Sequence, residues 1–321
     1  MSRMIRPTAY GSPDVLAITT VPIPDAEPGH VVVRVKAAGV NPIDWKLYSG
    51  TFHTATGSPE DATGARTHLL PGVGLECAGV VVAVGSDVNN VKIGDEVIVH
   101  PVTAAYADYV IAPTTSLTDK PATVDWPQAG ALMLAGTTAA HALHAVEIRA
   151  GDTLLIHGGS GGVGLMAIQL AVDIGATVVA TAARANHELL GQLGARAVTY
   201  GPGLIDRIQA AAPDGVDAAL DLVGTDEALD TSVALVSDPN RIACIAGGPR
   251  RAELGAKILG NAPGADKGTE VRQAARQELA AKAGAGQLRV IIDTTYSLDS
   301  AAEAHRAGIR GHAPGKLVII P

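Results

Sequence analysis

The segment Asp152–Gly175 constrains this chain more than any other. A short apolar run, Thr153–His157, enters the turn Gly158-Gly159-Ser160-Gly161-Gly162-Val163-Gly164, and the Ala/Leu/Ile-rich stretch that follows reads as helix to about Ile174. Gly159, Gly161 and Gly164 satisfy G-x-G-x-x-G after a strand and at the opening of a helix, the setting in which that pattern has a mechanism. The first glycine permits the tight turn, the second admits a pyrophosphate to the backbone, and the third lets the helix pack on the strand. Free N–H groups at the helix N-terminus then face the diphosphate. The spacing predicts dinucleotide binding; the alternative is a purely structural βα turn.

The next strand, Ala176–Thr181, bears on which dinucleotide. An NAD-specific site places Asp or Glu at its end to hold the ribose 2′-OH. Here the chain continues Ala182-Ala183-Arg184, with His187 just beyond. No carboxylate stands there to repel a 2′-phosphate, and a guanidinium can grip one in bidentate fashion. NADP(H) is the expected coenzyme. Read instead as a solvated helix-cap residue, Arg184 leaves the preference open.

At 321 residues the chain has room for two domains. One Phe and two Trp among 47% hydrophobic residues require aliphatic cores. A net charge of −8 argues against nucleic-acid binding, which needs a basic face. No apolar stretch reaches membrane-spanning length, and Arg3, Arg6 and Pro7 break any signal-peptide pattern, so no membrane association is expected. Cys77 and Cys244 are too few for a disulfide framework and suit a reducing, cytoplasmic setting.

The N-terminal third carries short β-rich runs at Val31–Lys36, Val80–Val84, Glu96–Val99 and Tyr106–Ile111, which read as an irregular, barrel-like β domain. From about Thr123 strands and helices alternate. Strands are expected at Leu154–His157, Thr177–Thr181, Ala197–Thr199, Val216–Leu222 and Arg241–Ala246, with a sixth at Ala256–Leu259. Helices are expected near Gly162–Ile174, Asn186–Leu193, Leu204–Ala211, Asp226–Val236 and Glu270–Ala283. This alternation predicts an α/β domain with a doubly wound parallel sheet. The tail reads β-α-β: strand Leu288–Asp293, helix Leu298–Ala307, strand Leu317–Ile320. An exposed edge near Ala243–Ile245 is a candidate for pairing between subunits.

Several ordered motifs now carry a family resemblance. They are Ala38-Gly39-Val40-Asn41-Pro42-Ile43-Asp44, Gly79–Gly85 leading to Gly94-Asp95-Glu96-Val97, Gly136–Leu143, His157–Gly164, and the closing Gly311-His312-Ala313-Pro314-Gly315-Lys316. The chain resembles, nearly end to end, the zinc-free medium-chain dehydrogenase/reductases of the quinone oxidoreductase (zeta-crystallin-like) type. The resemblance implies a GroES-like β-rich catalytic domain from both chain ends (residues 1–122 and 288–321) around a Rossmann NADP(H)-binding domain (residues 123–287). It implies NADPH in the cleft between them, and a homodimer or homotetramer.

Zinc-dependent relatives of that family carry Cys where this chain has Asn41 and Gly-His-Glu where it has Gly74-Leu75-Glu76. Leucine cannot ligate a metal, and His141 with His144 supplies two imidazoles without a third ligand. No metal is expected. Alcohol oxidation needs a stabilised alkoxide, whereas hydrogen-bond donors alone suit hydride delivery to an electron-poor acceptor. The expected reaction is NADPH-dependent reduction of a quinone or an α,β-unsaturated carbonyl. The alternatives are an enoyl-thioester or biosynthetic-intermediate reductase, and a non-catalytic NADPH-binding sensor. Enoyl-thioester reductases of the mitochondrial type place a tyrosine about where Phe52 stands, which argues against that activity.

Matched motif by motif, the resemblance implies that Ser160, Gly161, Gly162 and Val163 line the pyrophosphate and that Thr138 sits by the nicotinamide. Tyr200 matches a tyrosine that bonds the 2′-phosphate beside Arg184. Val223 and the turn Ala246-Gly247-Gly248 border ribose and nicotinamide. Asn41 and Lys46 are the candidate catalytic groups on the substrate side, although many relatives carry Tyr at the position of Lys46, which is otherwise a surface charge. Asp44 reads as a structural hydrogen-bonding residue. The long segment His53–Leu70 reads as a variable rim over the substrate cleft.

Overall fold

The computed structural model describes residues 1–51, 71–311 and 313–321, so Phe52, the His53–Leu70 segment and His312 lie outside the described residues. The chain divides into two units, Met1–Leu134 with Ile292–Pro321, and Ala135–Ile291.

The first unit is β-rich. An eleven-residue strand, β3 (His30–Val40), is its spine. It pairs antiparallel with β4 (Cys77–Val84), β6 (Tyr109–Pro113) and β15 (Lys316–Ile320). The sheet runs on from β4 to β5 (Glu96–Val99) and β7 (Leu117–Asp119), and from β15 to a parallel partner, β14 (Ile292–Ser297). A separate hairpin-like pair, β1 (Ser2–Pro7) with β2 (Leu16–Val21), flanks it. Alternating valines of β3 (Val31, Val33, Val35) meet Val81, Val97, Val99, Leu317 and Ile319 in one aliphatic core. Among the described residues three α-helices belong here: α1 (Pro42–Tyr48), α2 (Trp126–Gly130) and, near the C-terminus, α10 (Ala301–Arg310). The intervening helices are α3 (Met133–Ala145), α4 (Gly162–Ile174), α5 (His187–Gln192), α6 (Leu204–Ala211), α7 (Asp226–Leu235), α8 (Arg250–Glu253) and α9 (Thr269–Gly284). Helix α2 packs on β3 and β4, which brings residues 123–134 into the first unit.

Two expectations change here. The tail strand is Ile292–Ser297, four residues beyond the expected start at Leu288. Leu288 and Val290, the residues that signalled a strand, are buried by loop packing without a ladder partner. The β-run expected at Tyr106–Ile111 begins at Tyr109, because the Tyr106 N–H donates to Val73 and its carbonyl accepts from Ile5, and Ala107 bridges Met4, so neither joins β3.

The second unit is a doubly wound sheet. Its strands are β8 (Thr153–His157), β9 (Thr177–Thr181), β10 (Ala195–Val198), β11 (Ala218–Asp221), β12 (Ile242–Cys244) and β13 (Lys257–Ile258). They are all parallel, in the order β10-β9-β8-β11-β12-β13. The order reverses next to β8, the switch point at which such sheets leave a crevice. The expected edge at Ala243–Ile245 is instead interior: β12 lies between β11 and β13 and its residues are buried.

A polar chain runs through the apolar core of the first unit. Tyr106 Oη donates to Asp44 Oδ2 at 2.8 Å. Its proton being used there, Tyr106 accepts from His305 Nε2 at 3.3 Å. His305 Nδ1 is then the acceptor for Tyr48 Oη at 2.7 Å, with the Tyr48 and His305 rings stacked. Every member is buried. Burial pushes the Asp44 carboxyl up to about 7 and holds His305 down at about 4. In the second unit, burial likewise holds His157 at about 4, Asp221 opposing.

These groups set a pH dependence. A histidine depressed in the folded state stabilises it above the unfolded pKa of about 6.5, and that stability is lost as pH falls toward 4. Each histidine contributes on the order of 3 kcal/mol over that window. Asp44, raised in the folded state, acts oppositely: its contribution is present below about 4 and lost as pH rises to 7. Unfolding free energy is therefore expected to rise between pH 4 and 6.5, and Asp44→Asn to make the rise steeper. Urea melts across this range check both; a shallower rise in the variant contradicts the assignment.

Candidate active site

The glycine turn in the second unit shows why two of its three fingerprint glycines exclude side chains. A Cβ on Gly164 would lie 2.3 Å from the Gly158 carbonyl oxygen, so the first turn of α4 can sit on the loop only as glycine. Gly159 is closed by Ala180 and Leu190. Gly161 differs: its nearest neighbour is the Gly158 oxygen at 3.5 Å, and the space before it is open. Gly161 is the N-cap of α4 and no side chain caps it. The N–H groups of that first turn thus face an open approach, as an anion site requires.

The remaining sequence-predicted residues of this unit fall at the same carboxyl edge. Arg184 follows β9, Tyr200 follows β10, Val223 follows β11, and Ala246-Gly247-Gly248 follows β12. Ser160, Gly162 and Val163 lie at the start of α4 between them. The Val223-Gly224 turn packs against Gly158 on one side and against Ala246-Gly247 on the other. Val223 and Tyr200 are exposed at 48% and 49%, so both side chains are accessible at this edge. Thr138 stands apart, on α3, where its Oγ1 accepts from Arg272 Nη1 at 3.1 Å.

Sequence reading missed the groups that hold these turns. Asp221, fully buried at the end of β11, accepts from Val223 N at 3.1 Å and Gly224 N at 2.7 Å through Oδ1. Its Oδ2 accepts from Arg251 Nε at 3.2 Å, and Arg251 Nη2 donates to Thr225 O at 3.2 Å. The guanidinium lies directly under Gly247, where a Cβ would fall 1.9 Å from it. One ion pair therefore ties the two turns together. A carboxylate ending the apolar run Ala-Ala-Leu-Asp was the available signal; Arg251, thirty residues on, carried none. A groove of about 910 Å³ lined by Leu143, Ile148, Leu170, Ile174 and Leu279 contains none of these residues.

In the first unit, Asn41 begins α1 and is buried. Its Nδ2 donates to Glu76 Oε1 at 3.0 Å and to Gly39 O at 3.2 Å, and its Oδ1 accepts from Lys316 Nζ. Lys316 also donates to Glu76 Oε1 at 3.1 Å and Val40 O at 3.0 Å. Glu76 Oε2 accepts from Leu134 N at 2.8 Å. Both amide hydrogens of Asn41 are thus committed inside the protein. Asp44 Oδ2 accepts from Asn41 N at 2.8 Å, closing the first turn of α1. Lys46, half-buried on the same helix, has no ion-pair partner among the described residues.

The sequence pattern of alcohol dehydrogenase GroES-like domains matches residues 27–148, and that of zinc-binding dehydrogenases matches residues 166–319. Quinone oxidoreductase of Sus scrofa is 31% identical over 98% of this chain and 97% of its own. The NADPH-dependent alkenal/one oxidoreductase, chloroplastic, of Arabidopsis thaliana is 31% identical over 97% of this chain and 78% of its own. Among solved structures, the quinone oxidoreductase from Coxiella burnetii aligns with a TM-score of 0.82 at 32% identity, over 100% of this chain and 99% of that one.

Zinc does not suit the donor set here. Leu75 offers no ligand atom, both Glu76 carboxylate oxygens are engaged, and the cation that Glu76 Oε1 and the oxygens of Asn41 and Val40 surround is the Lys316 ammonium. Burial also pushes the neighbouring Cys77 thiol up, away from thiolate. The two histidines considered for metal binding differ in availability. His141 accepts from Arg272 at Nδ1 and meets Asp266 Oδ2 at Nε2, so both ring nitrogens are engaged.

The contrast between Gly161 and Gly164 is testable. Gly164→Ala is expected to lower stability by about 1–3 kcal/mol through overpacking. Gly161→Ala is expected to leave the melting temperature unchanged while weakening dinucleotide binding roughly tenfold, or about 1.4 kcal/mol. Thermal melts and fluorescence titration with NADPH distinguish the two; unchanged affinity in Gly161→Ala rejects the turn as the binding site.

Proposed function

Because this chain belongs to the quinone oxidoreductase family of the medium-chain dehydrogenase/reductases, we propose that it is an NADPH-dependent oxidoreductase that reduces a quinone or an α,β-unsaturated carbonyl. The observation that carries the coenzyme half is the row of strand-end turns around Gly161, with Arg184 and Tyr200 on the β9–β10 side and no carboxylate closing β9. The Arabidopsis relative, whose name prints NADPH dependence and alkenal/one substrates, supports the same reading.

In this reading the first turn of α4 and residues Ser160–Val163 hold the pyrophosphate, Arg184 and Tyr200 the 2′-phosphate, and Val223 with Ala246–Gly248 the ribose and nicotinamide side. When bound, the reduced nicotinamide supplies hydride; the protein supplies position and polarity. The Asp221–Arg251 pair keeps the ribose-side turns in register. On the substrate side the two candidates now divide. Asn41, its N–H groups already donated, shapes and stiffens the wall. Lys46 retains its donors and stabilises negative charge developing on the acceptor oxygen.

NADPH and NADH consumption measured with quinones, enones and acyl thioesters tests this. Turnover of quinones or enones with NADPH preferred is expected; tight NADPH binding with no turnover of any acceptor overturns the enzymatic reading in favour of a sensor. Lys46→Met is expected to lower kcat on the order of 10²-fold, as loss of an oxyanion donor does, while leaving the NADPH dissociation constant and melting temperature unchanged. An undiminished kcat removes Lys46 from the mechanism.

A further inference from the structure

The loop that carries Tyr200 is held by more than a surface turn needs. Arg207, on α6, directs its guanidinium at three backbone carbonyls of that loop. Nε donates to Thr199 O, Nη2 to Gly201 O and Nη1 to Pro202 O, each at 2.8 Å. From the other side Glu227 Oε2 accepts from Gly201 N at 3.1 Å. The backbone is therefore clamped immediately before and after Tyr200, while the tyrosine itself remains 49% exposed.

The surroundings are basic. Arg184 Nη1 donates to His187 Nδ1 at 3.4 Å, which leaves the His187 Nε2–H for Ala182 O at 3.3 Å, beside Thr199 Oγ1 at 3.4 Å. His187 thus bridges the arginine after β9 to the residue preceding Tyr200. A phenolic residue on a clamped loop, one position beyond the threonine that His187 joins to an exposed guanidinium, is a setting for an anion with several acceptor oxygens. A planar fork serving three carbonyls cannot be reproduced by an ammonium, which is a point charge on a flexible stem.

We propose that Arg207 is a positioning residue for coenzyme selectivity. By fixing the Thr199–Pro202 loop it holds Tyr200 where the hydroxyl meets the 2′-phosphate, so preference for the phosphorylated coenzyme depends on a residue that does not touch it. This rests on the NADPH reading above. Loop positioning acts only on the phosphate contact, so affinity for NADH, which lacks that group, is indifferent to it.

The test compares Arg207→Lys, Tyr200→Phe and the double variant, measuring KM and kcat with NADPH and with NADH. Arg207→Lys keeps the charge and loses the fork. It is expected to raise KM for NADPH about tenfold, the scale of one charge-assisted hydrogen bond, with KM for NADH and kcat unchanged. Tyr200→Phe is expected to match it, and the double variant to be no worse than Tyr200→Phe alone, since the two act as one unit. Glu227→Gln, which loosens the other side of the loop, shifts selectivity in the same direction by less. An equal rise in KM for both coenzymes, or intact selectivity in Arg207→Lys, overturns the inference while leaving the NADPH reading in place. A wild-type enzyme indifferent to the 2′-phosphate overturns both.

Discussion

A charge taken out of water has to be met by an opposite charge or by several hydrogen bonds, and each unit is organised around one such answer. In the second unit the buried carboxylate is Asp221. Placed at the end of an apolar strand, it gathers two backbone N–H groups and one guanidinium, and the turns after β11 and β12 take their shape from that convergence. In the first unit the buried carboxylate that draws an opposite charge is Glu76, met by the Lys316 ammonium, the Asn41 amide and the Leu134 N–H, while buried Asp44 is met by hydrogen bonds from Tyr106 and Asn41. Removing one member of such a set leaves an uncompensated charge, at a cost of about 3–5 kcal/mol. The pairs are therefore required by the fold whether or not they touch a ligand, and the turns they shape are fixed with them.

Legibility from sequence divides along the same line. The glycine turn was readable because its tightest constraint is local: Gly164 abuts Gly158, six positions away. The strand ends were readable because a parallel sheet places all its carboxyl termini at one edge once the alternation is recognised. Arg184 follows from its place after the second strand, whereas the roles of Tyr200, Val223 and Ala246 came from the family resemblance. The partners that hold them were not readable. Lys316 and Glu76 are 240 positions apart, Tyr48 and His305 257 apart, and no local pattern encodes such a pairing. Arg207 is an intermediate case, close to Tyr200 in sequence, but its guanidinium answers backbone carbonyls, which leave no signature in residue identity.

The errors have physical causes too. The runs at Leu288–Val290 and Ala243–Ile245 were judged by hydrophobicity, which reports burial and not ladder pairing. Leu288 and Val290 are buried, yet the strand begins after them with Asp293, Thr294 and Thr295 facing outward. The strand expected at Ala256–Leu259 does form, as β13, and it is what covers β12; strand order across a sheet, which makes β12 interior, is not written in the residues of any one strand. Helix α1 escaped notice because seven residues beginning with a proline have no helical period to detect.

That short helix is where the polar chain of the first unit acquires its purpose. A helix of two turns does not persist in water on its own propensity, because nucleation is unfavourable and few bonds repay it. Helix α1 is held by side chains instead. Asp44 and Tyr48, four apart and on one face, are both fastened through Tyr106 and His305, and Trp45 meets the His305 ring edge-on at 5.7 Å. Lys46 lies between Asp44 and Tyr48 in sequence, so 3.6-residue periodicity turns it to the opposite side. The direction of every bond in the chain is fixed by the one before it, which leaves His305 neutral in a single tautomer. The network thus does not need to move a proton to matter. By immobilising one face of α1 it fixes where the other face presents the Lys46 ammonium, and the proposed role of that donor asks for such a fixed position, because a donor that need not reorganise stabilises developing charge best.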